Sequence, residues 1–264
     1  MQYITTSQEI FETFCISKAH KKHLKIDENN KTIYFNYPEK EVEINYEPVN
    51  ILYEDAFLIA AFKPPFLLVH DDGNSQDTLQ ARINGYLQLN GNKYPAQAIH
   101  RIDYETSGLV LFCKHPFFQA YCDKNMEEHH IKKVYIALVQ GHTNYKNKKI
   151  VSNIARDRHN AKKMIIHPNG KESISIFNTL KNYKDYSLIQ VTILTGRKHQ
   201  IRVQCASLKH PILNDSLYGG KRIDNTGLLL QSHHIQFNDI DITCPQEKRF
   251  IRKNTFNKTG YRHH

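Results

Sequence analysis

Several features are missing from this sequence, and each absence narrows what the chain can be. No run approaches the ~18 consecutive apolar residues of a membrane-crossing helix, so a soluble protein is expected. The first residues show no basic stretch followed by an apolar one, and no secretory signal is expected. The five cysteines, Cys15, Cys113, Cys122, Cys205 and Cys244, are odd in number and widely spaced, with no Cys-x-x-Cys pair. That pattern suggests neither a disulfide framework nor a zinc site, and it fits a reducing cytoplasm. No internal repeat and no glycine-rich phosphate loop is present, so neither a solenoid nor a nucleotide-binding loop is expected.

What is present is basic. Lys and Arg number 36 against 26 Asp and Glu, a formal charge of +10, and the pI is near 9.2. An excess of this size suits a polyanionic partner: RNA, DNA or an anionic membrane. Charge alone also serves solubility, so it does not choose among them. With 264 residues, 40% hydrophobic and 23% charged, the chain can bury a sizeable core in one large domain or two small ones.

Residues 1–48 read differently from the rest. Residues 7–16 place Ile10, Phe11 and Phe14 on one helical face. Residues 32–35 and 42–46 are strand candidates with Pro38 between them, expected as an extra pair on a main sheet. From Asn50 the pattern is clearer. Residues 51–55 and 57–62 read as strands, ended by Lys63-Pro64-Pro65. Residues 75–89 read as a helix through Leu79, Ile83 and Tyr86, capped by Ser75 or Asp77, with Gly85 counting against it. Residues 109–113 form a short apolar run that reads as a buried strand. Pro116 suits the first turn of a helix reaching about residue 128, with His129-His130 as its basic end. Strands are expected over 131–141, 186–194 and 228–237, and a helix through Ile201, Cys205 and Leu208. Beyond Pro245, Lys248, Arg249, Arg252, Lys253, Lys258 and Arg262 stand against one acid, Glu247, and read as a flexible basic tail.

Two places concentrate chemistry. Arg101 and Asp103 precede the turn Thr106-Ser107-Gly108, at the mouth of the buried 109–113 strand. They read either as functional groups fixed by a rigid scaffold or as a surface ion pair. Arg156, Arg158, Lys162 and Lys163 crowd one loop, which reads as a solvated hairpin or as a phosphate-contacting one.

The blocks around these residues resemble the RluA-type RNA pseudouridine synthases. His100-Arg101-Ile102-Asp103 with Thr106-Ser107-Gly108-Leu109 resembles the family signature, with Ile102 where Leu is usual. Upstream, an acidic turn between two strands and then Lys63-Pro64 resembles the first block, with Phe66 in place of the usual Gly. Lys133, Tyr135, Ala137, Val139 and Gly141 fill all five places of the second block. The run from Thr195 through Gly196, Arg197, His199, Gln200, Ile201 and Arg202 to Val203 is similar to the third and most specific block. His210-Pro211-Ile212-Leu213-Asn214-Asp215 and Leu217-Tyr218-Gly219 complete the likeness, with Asn214 where Gly is usual, a residue that tolerates positive φ.

The resemblance implies an α+β catalytic domain over residues 49–245, with a mixed, largely antiparallel sheet and flanking helices. Residues 1–48 are then a short appendage unlike the family's usual RNA-binding domain, and residues 246–264 a basic tail. It implies isomerisation of uridine in structured RNA, large-subunit ribosomal RNA before transfer RNA, by a cytoplasmic monomer with no cofactor, metal or membrane partner. Asp103 takes the place of the catalytic aspartate, a nucleophilic or charge-stabilising group. Tyr135 matches the tyrosine against the uracil. Arg202 matches the arginine that keeps the aspartate ionised. Arg101 matches the arginine that fills the space of a flipped base, and its loop neighbour His100 is grouped with it. The RNA-contacting set then adds Arg156, Arg158, Lys162, Lys163, Arg197 and His199. Two other classes stay open. One is a non-catalytic RNA-binding protein of this fold. The other is a carboxylate hydrolase of nucleosides or glycosides, for which Glu105 is the nearest second carboxylate in sequence.

Overall fold

A computed structural model describes residues 7–250, apart from 28, 31, 39, 40 and 74. They divide into two units. One runs to Lys133 and takes in His234–Cys244; the other holds Val134–His233 and the residues from Pro245 on.

The first unit opens with α1 (Ser7–Thr13) and α2 (Lys18–Lys21), then β1 (Leu24–Asp27) and β2 (Thr32–Phe35). The expected amphipathic helix is therefore present: Ile10, Phe11 and Phe14 pack with Ile16, Tyr37 and Phe117. The strand pair differs from the expectation. β1 and β2 make a two-stranded sheet of their own.

Next come β3 (Asn50–Glu54), β4 (Leu58–Lys63), α3 (Leu79–Leu89), β5 (Gln97–Ala98), β6 (Ser107–Cys113) and α4 (Pro116–Glu127). β4 pairs antiparallel with β3 and β6, and β5 pairs with β6. Leu58, Ala60, Leu109, Leu111 and Cys113 form one core cluster with Cys122 and Ile131. Ile59, Ala61, Val110 and Phe112, which alternate with them, are equally buried. Burial on both faces explains why these strands read as unbroken apolar runs. Each fully buried Leu, Ile or Phe contributes roughly 1.5–3 kcal/mol.

Thr78 caps α3: its Oγ1 accepts the Ala81 N–H at 3.1 Å. Asp77, expected as a cap, instead binds Arg82 at two points, each 2.7 Å. Gly85 is needed inside α3 because the chain crosses there. A Cβ on Gly85 would lie 2.2 Å from the Asn45 carbonyl oxygen. That crossing also corrects the strand expected over 42–46. Asn45 N–H donates to Ala81 O and Tyr46 Oη to Gln88 Oε1, so the segment bonds to α3 and not to a sheet.

The second unit is built from β7 (Lys132–Gln140), β8 (Lys148–Arg156), β9 (Met164–Ile166), β10 (Lys171–Asn182), β11 (Tyr186–Ile193) and α5 (Gln200–Ser207). From Val134 on, its strands follow the order β7-β11-β10-β8-β9. The β8–β9, β8–β10 and β10–β11 pairs are antiparallel. Its core joins Ile136 and Leu138 to Leu188, Leu213, Leu229 and Phe250. Phe250 is fully buried at the end of a 3-10 turn, Lys248–Phe250, so the expected loose tail is anchored that far. Arg252, Lys253, Lys258 and Arg262 lie outside the described residues. β12 (Leu230–Phe237) leads back to the first unit, where β13 (Ile240–Thr243) folds onto it antiparallel. The α+β class and the largely antiparallel pairing are as expected.

Candidate active site

Asp103 stands at the first position of a turn, where Thr106 N–H donates to its carbonyl at 3.1 Å, directly before β6. The loop carrying it is fastened on both sides. Upstream, β5 pairs with β6, and Ile99 N–H donates to Leu111 O at 3.0 Å. Downstream, every residue of β6 is buried. Asp103 itself is half-buried, while Arg101 beside it is exposed, its Nη1 3.5 Å from His70 Nε2.

A second fastening was not legible in the sequence. Lys63, at the end of β4, is fully buried. Its Nζ donates to the carbonyls of Pro64 (2.9 Å), Leu67 (2.8 Å) and Tyr104 (3.0 Å). The Tyr104 carbonyl also accepts the Phe66 N–H at 2.8 Å. The Tyr104–Glu105 peptide group, one residue beyond Asp103, is thus tied to the Lys-Pro-Pro segment, which gives that segment a positioning role. Phe66, where glycine is usual, sits at φ +64°, in the left-handed region.

His100, expected among the RNA-contacting residues, is half-buried and bonded within its own loop and strand. Its Nε2 accepts the Leu111 backbone N–H at 3.1 Å, which places the ring proton on Nδ1. Burial, with a smaller effect from the charge on Lys133, lowers its pKa to about 3. The ring is a neutral fastening between the loop and β6. Lys133, at the start of β7, is buried too; desolvation lowers its pKa to about 8, and its Nζ lies 3.1 Å from Met126 Sδ.

In the second unit Tyr135 is buried on β7. Arg202, on α5, is buried and held by Asp215, Nε to Oδ2 at 2.8 Å and Nη2 to Oδ1 at 2.9 Å. The turn before α5 is organised by Gln200. Its Oε1 accepts from Thr195 Oγ1 and Arg197 N–H, and its Nε2 donates to Ile174 O and Ser175 Oγ. His199 adopts φ +56° at the helix start, with Nδ1 2.9 Å from Tyr218 Oη. Tyr218 also accepts the Met164 N–H at 2.8 Å, and the cations of Lys163 and Arg202 lie over its ring at 5.6 and 5.2 Å. Tyr218 therefore gathers Lys163, His199 and Arg202. Asn214 takes the positive φ expected of it, +70°, and its side chain bonds Asp224, Gly227 O and Ile223 N–H.

The basic residues divide. Arg158 and Lys162 are exposed between β8 and β9. Arg156 is exposed but gives Nε to Ala161 O, and Arg197 gives Nε to Glu172 O. Lys63, Asp215 and Tyr218 are positioning residues that the sequence placed in family blocks without giving them a role. The sequence signal for Asp215 was a carboxylate closing the apolar Ile212-Leu213 run.

Comparison with known proteins places these features in a family. The sequence model for RNA pseudouridylate synthases matches residues 58–207, more than half of the chain. The chain belongs to the RNA pseudouridylate synthase family, and to its RluA type. It is 35% identical over 178 residues to the uncharacterized RNA pseudouridine synthase YhcT of Bacillus subtilis, covering 66% of this chain and 59% of that protein. It is 32% identical over 215 residues to the ribosomal large subunit pseudouridine synthase D of Borreliella burgdorferi, covering 77% and 64%. The chain spans about three fifths of the length of these two curated relatives. A solved structure of human RNA pseudouridylate synthase domain containing 1 shares the fold, with TM-score 0.64 and 22% identity over 76% of this chain and 85% of that one.

Proposed function

We propose that this protein is an RNA pseudouridine synthase acting on uridines of large-subunit ribosomal RNA. The observation that carries the reading is Asp103, in the family signature, on a loop fastened by Lys63, His100 and β6. A carboxylate so held is preorganised for attack beside a ribose. In the reaction the bond from ribose to the uracil nitrogen breaks, the base turns, and a ring carbon takes the ribose and releases its proton. Nothing is oxidised or reduced. Asp103 supplies the nucleophilic or charge-stabilising group. Tyr135 holds the uracil and serves proton transfer. Arg202 keeps the carboxylate ionised. Arg101 occupies the place of the flipped base; its planar guanidinium suits stacking.

The ribosomal target is supported by relatives named as ribosomal large subunit pseudouridine synthases, such as that of Borreliella burgdorferi. Such a substrate places the work in the cytoplasm; the catalytic domain is taken as 49–245 and the protein as a monomer. Among the described residues no helix is long and apolar enough to cross a membrane. Two measurements test the reading. Pseudouridines are mapped in RNA from cells with and without the gene, and purified wild type is compared with Asp103→Asn. We expect one or a few ribosomal sites to disappear, and the variant to bind RNA without forming pseudouridine. Turnover by Asp103→Asn would sink the mechanism. A lost site in transfer RNA would move the substrate, and release of free uracil would make the protein a hydrolase.

A further inference from the structure

Phe66 and Tyr104 form an exposed aromatic corner next to Asp103, and neither is used by the proposed reaction. Their ring centroids are 5.8 Å apart with planes at 67°, and they are 46% and 50% exposed. Tyr104 follows Asp103 directly in the chain. The corner is rigid: the Tyr104 carbonyl takes both the Phe66 N–H and the Nζ of buried Lys63. It also carries a backbone cost. A phenylalanine at φ +64° is strained by about 1 kcal/mol or more, where a glycine would be relaxed. The strained residue presents its ring to solvent, so core packing does not account for it.

We propose that this corner is a stacking platform for a nucleobase of the substrate RNA, one neighbouring the target uridine, and so a determinant of specificity. The inference rests on the RNA-modifying function above. A base laid on one ring meets the edge of the other. Aromatic rings accept any base by its face, and Arg101, given above the place of the flipped base, is exposed in the same loop. An aromatic pair next to the reacting carboxylate can hold the neighbouring nucleotide while the target base is out of the stack.

The test uses Phe66→Gly and Tyr104→Leu in the full chain, with short uridine-rich RNAs carrying a single 2-aminopurine at each position in turn. Binding to wild type is expected to change the fluorescence of the probe at one position. Each variant is expected to lose that change and to bind about tenfold more weakly. Phe66→Gly is at the same time expected to raise the thermal midpoint, because it removes the strain along with the ring. Weaker binding from a more stable protein cannot come from misfolding. Unchanged affinity and fluorescence in both variants overturn the platform. Pseudouridine formation by wild type on large-subunit ribosomal RNA is measured alongside. Activity without the fluorescence change rejects the platform alone. The fluorescence change without activity rejects the proposed reaction and keeps the platform as an RNA contact.

Discussion

Arg202 and Asp215 meet edge to edge inside the second unit, with side chains 5% and 0% exposed. Both charges are out of water, so each depends on the other. Removing one member of a buried pair costs about 3–5 kcal/mol. Asp215→Ala is therefore expected to lower the unfolding free energy, read from urea titration, by that amount. Arg202→Lys keeps the charge but cannot make both bonds from one planar group. We expect it to destabilise less and still lose most turnover, if Arg202 orients the catalytic carboxylate. Urea titrations and single-turnover rates on the same preparations separate the two effects; full turnover in Arg202→Lys would remove Arg202 from the mechanism.

His100 makes stability depend on acid. Its folded pKa is about 3 against an ordinary 6.5. Above pH 6.5 the ring is neutral in both states and its contribution is complete. Below pH 6.5 the unfolded chain binds a proton that the folded chain refuses, so stability falls toward pH 3. The expected slope is about 1.4 kcal/mol per pH unit. His100→Asn retains a short acceptor for the Leu111 N–H and removes the titration. Urea unfolding between pH 6.5 and 4.5 is expected to show the wild type losing stability faster than the variant.

Much of this organisation was legible in the sequence where neighbouring residues decide it. The runs 57–62 and 109–113 are apolar without alternation because both faces of β4 and β6 are buried. The Thr195–Val203 block announced its turn because Gln200 bonds residues only a few places away. What escaped depends on partners distant in the chain. Nothing near Lys63 says that its ammonium binds the carbonyl of Tyr104. Nothing near residue 42 says that this segment crosses α3 at Gly85. A histidine beside an exposed arginine reads as a contact residue, and nothing near His100 says that its ring also bonds the Leu111 N–H. β13 is four residues long, too short for a periodic signal.

Lys133 has the same sign of pH dependence as His100, in a more alkaline window. Burial lowers its pKa to about 8 from 10.5. At neutral pH it is charged in both states, and the folded state carries the cost of a desolvated ammonium. Between about pH 8 and 10.5 the folded chain has released the proton and the unfolded chain has not, so stability rises with pH. Lys133→Met keeps the length of the side chain and removes the charge. It is expected to be more stable than wild type at pH 7, by on the order of 3 kcal/mol, with the difference shrinking toward pH 10.5. Paired urea titrations at pH 7 and 10 check the sign; a less stable variant at pH 7 would mean that the Met126 contact outweighs the desolvation.

The loop between β8 and β9 provides the sharpest test of the RNA contacts, because its cations are held differently. Arg158 and Lys162 are exposed, whereas Lys163 lies over the Tyr218 ring, which also binds Met164 N–H and His199. Phosphate contacts release counterions, so each one lost flattens the dependence of affinity on salt by roughly 0.7–0.9. Arg158→Ala with Lys162→Ala is expected to reduce that slope by roughly 1.5 and to leave thermal stability unchanged. Tyr218→Phe keeps every cation but loses the hydroxyl that ties the loop to the start of α5. It is expected to leave the salt slope near the wild-type value, since the charges remain. Its effects are expected in faster protease cleavage within 157–163 and slower turnover, since Arg202 rests against the same ring. Filter binding at several salt concentrations and limited proteolysis read the two effects separately. An unchanged slope in the double variant would show that these side chains are a solvated surface and that RNA is held elsewhere.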